Sequence, residues 1–438
     1  MTFEEAKAYL LARAGELGVD VEVLATEDRE LTLNAFQGEL NESTQASQGG
    51  IGVRVVTQGK VGYASTEERS QAALDWILSE AKENAELQSQ QGGFLPPGTA
   101  LGKSDLLSEG LSAPVEKKAE AAIDFEAGLR TDPRLKQVTI ARYTEKESLV
   151  TLASTKQVEG GYRTGHSALV AWFVMQEGES VKQGLDYSVE REFHALDPGR
   201  TAQQALERTG RHLGSVALKT AKHTAYFEPR AFAQLLNVFL FMLNGKMVME
   251  GKSRLSEMLG KRVAAEPITM VDDPTLPGGM ASRPFDSEGF PAKPVTLIER
   301  GVLTSFLHNS ETAKSLGQEN TGHAKRSYKS TLGVGPSNVF IEPGARLEPS
   351  DGIIVTDLMG VHAGANPISG DFSLQALGLM VQGGEAAGPV DNFAVSANLL
   401  EVLERVSALG DRLEWEPVGG AYIGSPMVAV PDVSFGGS

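Results

Sequence analysis

Apolar residues recur at helical spacing from the start of the chain, at Phe3, Ala6, Tyr9 and Leu10 with Arg13 on the same stripe, and the run closes near Gly15 or Gly18. Residues 19–25 and 29–36 have the composition of strands, with a polar turn expected between them. The clearest hairpin follows. Ile51, Val53 and Val55 alternate with Gly52 and Arg54, Gln58-Gly59 supplies the turn, and Val61-Gly62-Tyr63 returns. A helix is expected over 67–88, with Ala72, Ala73, Trp76, Ile77 and Ala81 setting its faces. The stretch 90–114 is rich in Gly, Pro and Ser and reads as a surface loop. A second helix covers 115–129 and stops at Asp132-Pro133. Strands then follow at 138–143, 148–153, 168–176 and 181–189, and a helix at 201–215. The order strand, tight turn, strand, helix thus occurs at 50–88 and again at 165–215, either as a structural repeat or as a common α+β device.

Beyond Tyr226 the texture changes. A helix opens at Glu228-Pro229, where proline at the first turn forfeits no hydrogen bond, and runs through Leu243. After it the chain is Gly-rich and strand-like, at 268–271, 295–299, 302–307, 339–341, 353–356, 372–381 and 428–430. Short helices are expected at 310–316 and 399–409. The expected fold class is α+β, with an N-terminal α+β domain over 1–220 and a β-rich, mainly antiparallel C-terminal domain over 221–438.

Composition narrows the function. The formal net charge is −17, from 57 acidic and 40 basic residues, and the densest basic sites are only pairs, Lys261-Arg262 and Lys325-Arg326. Direct nucleic-acid binding is therefore not expected. No cysteine is present, so disulfides, thiolate catalysis and any zinc site with a Cys ligand are excluded. The N-terminus lacks a basic region and a long apolar core, and the most apolar run, 235–243, is short and interrupted by Asn237. A cytoplasmic protein without a membrane span is expected.

Chemical motifs are sparse. There is no G-x-S-x-G elbow and no G-x-x-x-x-G-K-[ST] loop, and Gly333-Val334-Gly335 runs into Pro336 rather than a helix. None of the seven histidines pairs with another at i, i+4. His308, His323 and His362 lie in the β-rich half and could converge; hydrogen-bonded loop or strand positions are the simpler reading. Asp272-Asp273 precede a Pro/Gly turn and read as turn residues. An Arg283–Asp286 contact is expected within the loop 283–289. Asp371, in Ser369-Gly370-Asp371, is expected to satisfy N–H groups of its own turn. Arg283, Asp286, His308, His362 and Asp371 are the candidate cavity residues.

Several stretches in order resemble the TldD/PmbA family, also described as modulators of DNA gyrase. They are Gly52-Val53-Arg54 through Gly62-Tyr63-Ala64-Ser65-Thr66, then Val271-Asp272-Asp273-Pro274 with Pro277-Gly278-Gly279, and Ser282-Arg283-Pro284-Phe285-Asp286 with Glu288-Gly289. Gly301-Val302-Leu303 with Phe306-Leu307-His308, Asp357-Leu358-Met359-Gly360 and Ser369-Gly370-Asp371-Phe372-Ser373 follow.

The resemblance implies a specific question. TldD-type members carry H-E-x-x-x-H on a helix upstream of the V-D-D segment, with a Cys further along; the His and Cys hold zinc and the Glu acts as general base. Here the matching helix is 229–243, and the motif falls near Leu236, Asn237 and Phe241. No histidine occurs between His223 and His308, and no cysteine occurs at all. The chain thus resembles the TldE (PmbA) type. It is expected to hold no cofactor itself, to pair as a heterodimer with a zinc-bearing TldD-type subunit or as a homodimer, and to act on unfolded peptide in a metalloprotease. Two alternatives stay open: a self-sufficient peptidase with a metal site built from His308, His323, His362 and Asp371, and a homo-oligomeric peptide-binding scaffold.

Overall fold

A computed structural model describes residues 1–90, 92–98, 100–107 and 109–437. The N-terminal half runs α1 (Phe3–Leu17), β1 (Asp20–Phe36), β2 (Glu39–Thr57), β3 (Lys60–Thr66), α2 (Gln71–Glu86), β4 (Ala100–Asp105), α3 (Val115–Leu129), β5 (Leu135–Ser154), β6 (Glu159–Glu177), β7 (Ser180–Glu190) and α4 (Pro198–Gly210). One sheet collects every strand in the order β3-β2-β1-β5-β6, and the outer edge of β6 carries β4 on its first part and β7 on the rest. The succession helix, three-stranded meander, helix therefore occurs twice, and the two meanders meet where β1 pairs antiparallel with β5. Thr2 and Glu5 cap α1 reciprocally, and Gly18 ends it at φ 64°, a left-handed turn that glycine adopts without strain.

One expected turn is absent, and one expected loop carries a strand. Polar residues 26–30 continue β1, because they pair on both sides, with 46–50 of β2 and 146–150 of β5. Lys146 of β5 lies opposite Glu30 and bridges Asp28 at 2.8 Å and Glu30 at 3.2 Å, so charges that suggested a turn satisfy one another across the strands. The expected loop 90–114 also holds β4, parallel to 159–163 of β6; residues 91, 99 and 108 of that stretch lie outside the described residues. Other differences are smaller. Helix α4 ends at Gly210 rather than 215, and the strand expected over 302–307 is two residues long.

The C-terminal half runs β8 (Val216–Ala217), β9 (Ala221–Phe227), α5 (Pro229–Leu240), α6 (Gly245–Met249), β10 (Met270–Asp272), β11 (Val295–Glu299), β12 (Val302–Leu303), α7 (Ser310–Leu316), β13 (Ala324–Lys325), β14 (Gly333–Val334), β15 (Asn338–Ile341), β16 (Gly352–Met359) and α8 (Val361–Gly364). It closes with β17 (Asp371–Gln382), β18 (Glu385–Asn398), α9 (Leu399–Glu404), β19 (Ala408–Leu409), β20 (Glu414–Val418), β21 (Ala421–Ser425) and β22 (Val428–Gly436). The helix expected over 399–409 thus stops at Glu404, and its last residues form β19. A six-stranded sheet, β12-β11-β10-β15-β21-β20, and a seven-stranded sheet, β19-β22-β9-β16-β17-β18-β8, enclose one core around α5. Most pairings are antiparallel, as the sequence suggested; β9–β16, β15–β21 and β8–β18 are parallel.

Strand alternation decides how the halves meet. On β1 and β2, Val21, Val23, Ile51, Val53 and Val55 turn toward α1 and α2 and are buried there. The opposite face carries Glu22 and Leu24 across from Arg54 and Gly52. Leu24 packs with Leu152 and Val158 of its own half and with Phe285 of the C-terminal half. Gly52 is required at its position, since a β-carbon there would stand 2.2 Å from the Tyr328 carbonyl oxygen. Among the described residues no helix is long and apolar enough to cross a membrane.

Candidate functional site

Helix α5 is amphipathic in a way that the run of leucines conceals. Phe232, Leu235, Leu236, Phe239 and Leu240 are buried in the C-terminal core. Arg230, Gln234 and Asn237 fall at i, i+4 and i+7, which places them on one other face. That face lines a cavity of about 190 Å³ with Tyr187 of β7, Glu416 and Val418 of β20, and Val361 and His362 of α8. Of the three positions assigned to the degenerate motif, Leu236 belongs to the core, Phe241 is the C-cap of the helix, and Asn237 alone reaches the cavity. The leucines thus face inward and a polar stripe faces the cavity.

The polar groups around the cavity are interlocked. The Tyr187 hydroxyl donates to Glu416, and the Arg230 guanidinium lies over the Tyr187 ring, 5.1 Å from its centroid. Arg230 also donates to Asp186 at 3.2 Å and to the Leu185 carbonyl at 3.2 Å, and Gln234 donates to Asp357 at 3.1 Å. Burial raises the Glu416 carboxyl above its ordinary range, against the pull of Arg230 and the Tyr187 hydrogen bond. Burial likewise raises Tyr187, with the Glu416 charge adding to it. Next to the lining residue Val418, Gly419 at φ 61° abuts Asn237: a β-carbon there would lie 2.3 Å from the Asn237 side-chain oxygen.

This donor set does not suit a catalytic zinc. Such a site takes three protein donors, of imidazole, thiolate or carboxylate type, and leaves one position open. The cavity has a single imidazole, His362, a single carboxylate that already accepts from Tyr187, and two side-chain amides. Among the described residues no three His, Cys, Asp or Glu side chains gather so as to hold a metal ion.

The other candidates fall elsewhere. His308 and His323 are both buried, joined by a His323 N–H donating to the His308 carbonyl at 3.1 Å; His308 Nδ1 faces the Thr312 hydroxyl at 3.1 Å. His362 lies apart from them on α8, exposed at the cavity mouth. Asp272 is fully buried between Ser337 and His323, 3.3 Å from the His323 ring nitrogen; burial raises its carboxyl, and those partners more than offset this, leaving it lowered. A Ser, a His and an Asp thus meet, but all three are closed to solvent and the serine donates to the aspartate. Asp273 alone serves the turn, accepting from Thr275 N–H at 2.7 Å.

Asp286 does not pair with Arg283. Its oxygens accept from three backbone N–H groups, of Glu288, Phe290 and Ala324, each at 2.9 Å, while Arg283 donates to the Gly322 carbonyl at 3.4 Å. Backbone donors held by the loop reach the carboxylate directly, and they displace the expected ion pair. Asp371 is exposed and accepts from Asn398 at 2.8 Å; the turn N–H groups of Ile368 and Ser369 go to Asn366 instead. Sequence reading missed Arg230, Gln234, Tyr187 and Glu416. The polar i, i+4, i+7 stripe on α5 was the available signal for the first two.

Three family models match the chain in succession: PmbA/TldA metallopeptidase domain 1 over 21–85, the central domain over 109–213 and the C-terminal domain over 220–437. The chain belongs to the PmbA/TldD family. Among family members, the Escherichia coli O157:H7 protein named metalloprotease PmbA is 25% identical over 425 residues, 94% of this chain and 92% of that protein. A Methanothermobacter thermautotrophicus protein named metalloprotease is 28% identical over 422 residues, 90% of this chain and 88% of its own. A Thermotoga maritima crystal structure, titled as a candidate modulator of a DNA gyrase, superposes with a TM-score of 0.88 at 26% identity, over 99% of this chain and 100% of that one. TldE from Thermococcus kodakarensis shares the fold, with a TM-score of 0.87 at 21% identity over 98% of this chain and 100% of its own.

Proposed function

We propose that this chain is a TldE-like, zinc-free subunit of a cytoplasmic metalloprotease. It pairs with a TldD-type subunit that carries the zinc, and it forms part of the wall that holds unfolded peptide. The observation that carries this reading is the face of α5: the helix matched to the family's zinc motif turns Arg230, Gln234 and Asn237 to the cavity, and none of these is an imidazole, thiolate or carboxylate. Amide and guanidinium groups bind the carbonyls and carboxylates of an extended chain, but they supply neither a general base nor the imidazole, thiolate or carboxylate ligands of zinc. Glu416, the one carboxylate at the cavity, is tied to Tyr187 and surrounded by low-dielectric protein.

The test is reconstitution. The purified chain alone is expected to leave an unfolded, fluorescently labelled casein intact at any zinc concentration. Added to a TldD-type subunit, it is expected to co-elute with it as a heterodimer and to raise or redirect its peptidase activity. A partner whose activity and elution are unchanged by addition overturns the pairing. Zinc bound stoichiometrically by this chain alone, and released by His308→Ala, would favour the self-sufficient peptidase instead.

A further inference from the structure

A larger cavity, of about 550 Å³, opens away from α5, between the β2–β3 hairpin and the helices α6 and α7. Its floor is ionic and closed: Arg54 donates to Glu288 at 2.9 Å and to the Phe94 carbonyl at 3.0 Å, and the second Glu288 oxygen accepts from the Ser310 N–H at 2.9 Å. The buried Arg54 Nε has no partner there. Val61, Phe94 and Leu332 give the walls an apolar lining.

The rim differs from the floor. Lys246 and Lys314 both line the cavity, and neither forms an ion pair among the described residues. Glu250, one helical turn from Lys246, is bonded to Lys252 at 2.6 Å and feels the Lys246 charge only at longer range, and Lys314 rests on the Phe94 ring, 4.4 Å from its centroid. Glu311 is the one rim carboxylate, one helical turn from Lys314. Two ammonium groups with no carboxylate in contact, one of them over an aromatic ring, stand out on a chain of net charge −17. The volume lies within the range of small-molecule sites, which are apolar clefts with a few fixed polar groups.

We propose that this cavity binds a small zwitterion with an apolar body, of the size of a di- or tripeptide. The ligand carboxylate meets Lys246 and Lys314, its ammonium meets Glu311, and its side chains lie on Phe94, Val61 and Leu332. The charge-assisted contacts set the orientation, and the apolar wall supplies the burial. Nothing in this assignment needs a partner subunit, so it stands or falls separately from the pairing proposed above.

The probes are the dipeptide Leu-Phe with a free carboxylate and the same dipeptide as its C-terminal amide, titrated calorimetrically into the full chain in the absence of any partner. The free acid is expected to bind about tenfold more tightly than the amide. The double substitution Lys246→Gln, Lys314→Gln is expected to abolish that difference, with circular dichroism unchanged. Phe94→Ala is expected to weaken both probes alike. Equal binding of acid and amide, no heat from either at about 1 mM ligand, or a preference for the acid that survives the double substitution would each overturn the assignment.

Discussion

Arg54 of β2 meets Glu288, 234 residues later in the chain, at 2.9 Å, with both side chains shut away from solvent. Glu22 of β1 completes the cluster, 3.9 Å from Arg54 and 2.8 Å from Arg326. Four charges thus lie between the halves of the molecule, two from the N-terminal sheet and two from C-terminal loops. Removing one member leaves an opposite charge buried without compensation, which is the expensive way to break such a pair.

Glu288→Gln is therefore expected to lower the unfolding free energy by about 3 kcal/mol, measured by urea titration at pH 7. The double change Arg54→Met, Glu288→Met is expected to recover most of that loss, because it leaves no unpaired guanidinium at this point. A loss below about 1 kcal/mol for the single variant would show that Glu22 compensates Arg54 alone.

Gly419 faces the Asn237 side chain of α5, in the left-handed region at φ 61°. Gly419→Ala is expected to cost about 1–2 kcal/mol from the backbone conformation, and more from the collision with the Asn237 amide. In combination with Asn237→Gly only the backbone part should remain. Thermal melts of the two single variants and the double variant read the coupling; strictly additive shifts would show that the amide moves aside freely.

His212 and His308 are each lowered to about 4 by burial, with Arg211 and Lys182 adding to the effect at His212 and His323 at His308. As pH falls from the ordinary 6.5 toward 4, the unfolded chain takes up protons that these imidazoles refuse, so stability drops across that window. His308→Gln is expected to shrink the drop in urea midpoint between pH 7 and pH 5. An unchanged drop would assign the acid sensitivity to other groups.

Asp286 works in the opposite direction. Burial raises it to about 6, the neighbouring Glu288 adds to this, and the three backbone N–H donors pull against both. Its folded form holds a proton that the unfolded form has lost above 3.8, so its contribution is present at low pH and disappears as pH rises through about 6. Asp286→Asn loses a hydrogen bond at every pH, but its stability should vary less between pH 4 and 6 than that of the parent. Parallel profiles for the two proteins would show that Asp286 is ionised throughout the window.

Long periodic elements were legible from the residues alone. The helix at 115–129, the hairpin around Gln58-Gly59 and the strand at 295–299 occur as read, because their signals are local: apolar spacing, a turn pair, a stop at Asp-Pro. The family, too, was visible in motif order, and so was the absence of cysteine and of histidine from the matching helix. Local signals failed where pairing overrode them. The polar segment 26–28 looked like a turn, yet partners on both edges hold it as strand, and β4 lies in a stretch whose Gly and Pro content suggested only loop.

Composition and motif order by themselves determined an acidic α+β chain of this family whose motif helix lacks histidine and cysteine. Only the tertiary structure decided which face of α5 meets the cavity, and that the groups opposite it are Tyr187 and Glu416. It also decided that Gly52 and Arg54, the small and polar alternates of a hairpin, form the face that docks the two halves. The reason is range. Periodicity reports which residues share a side of one element, whereas a cavity or a buried ion pair is made by residues hundreds of positions apart, whose meeting is set by packing the elements together.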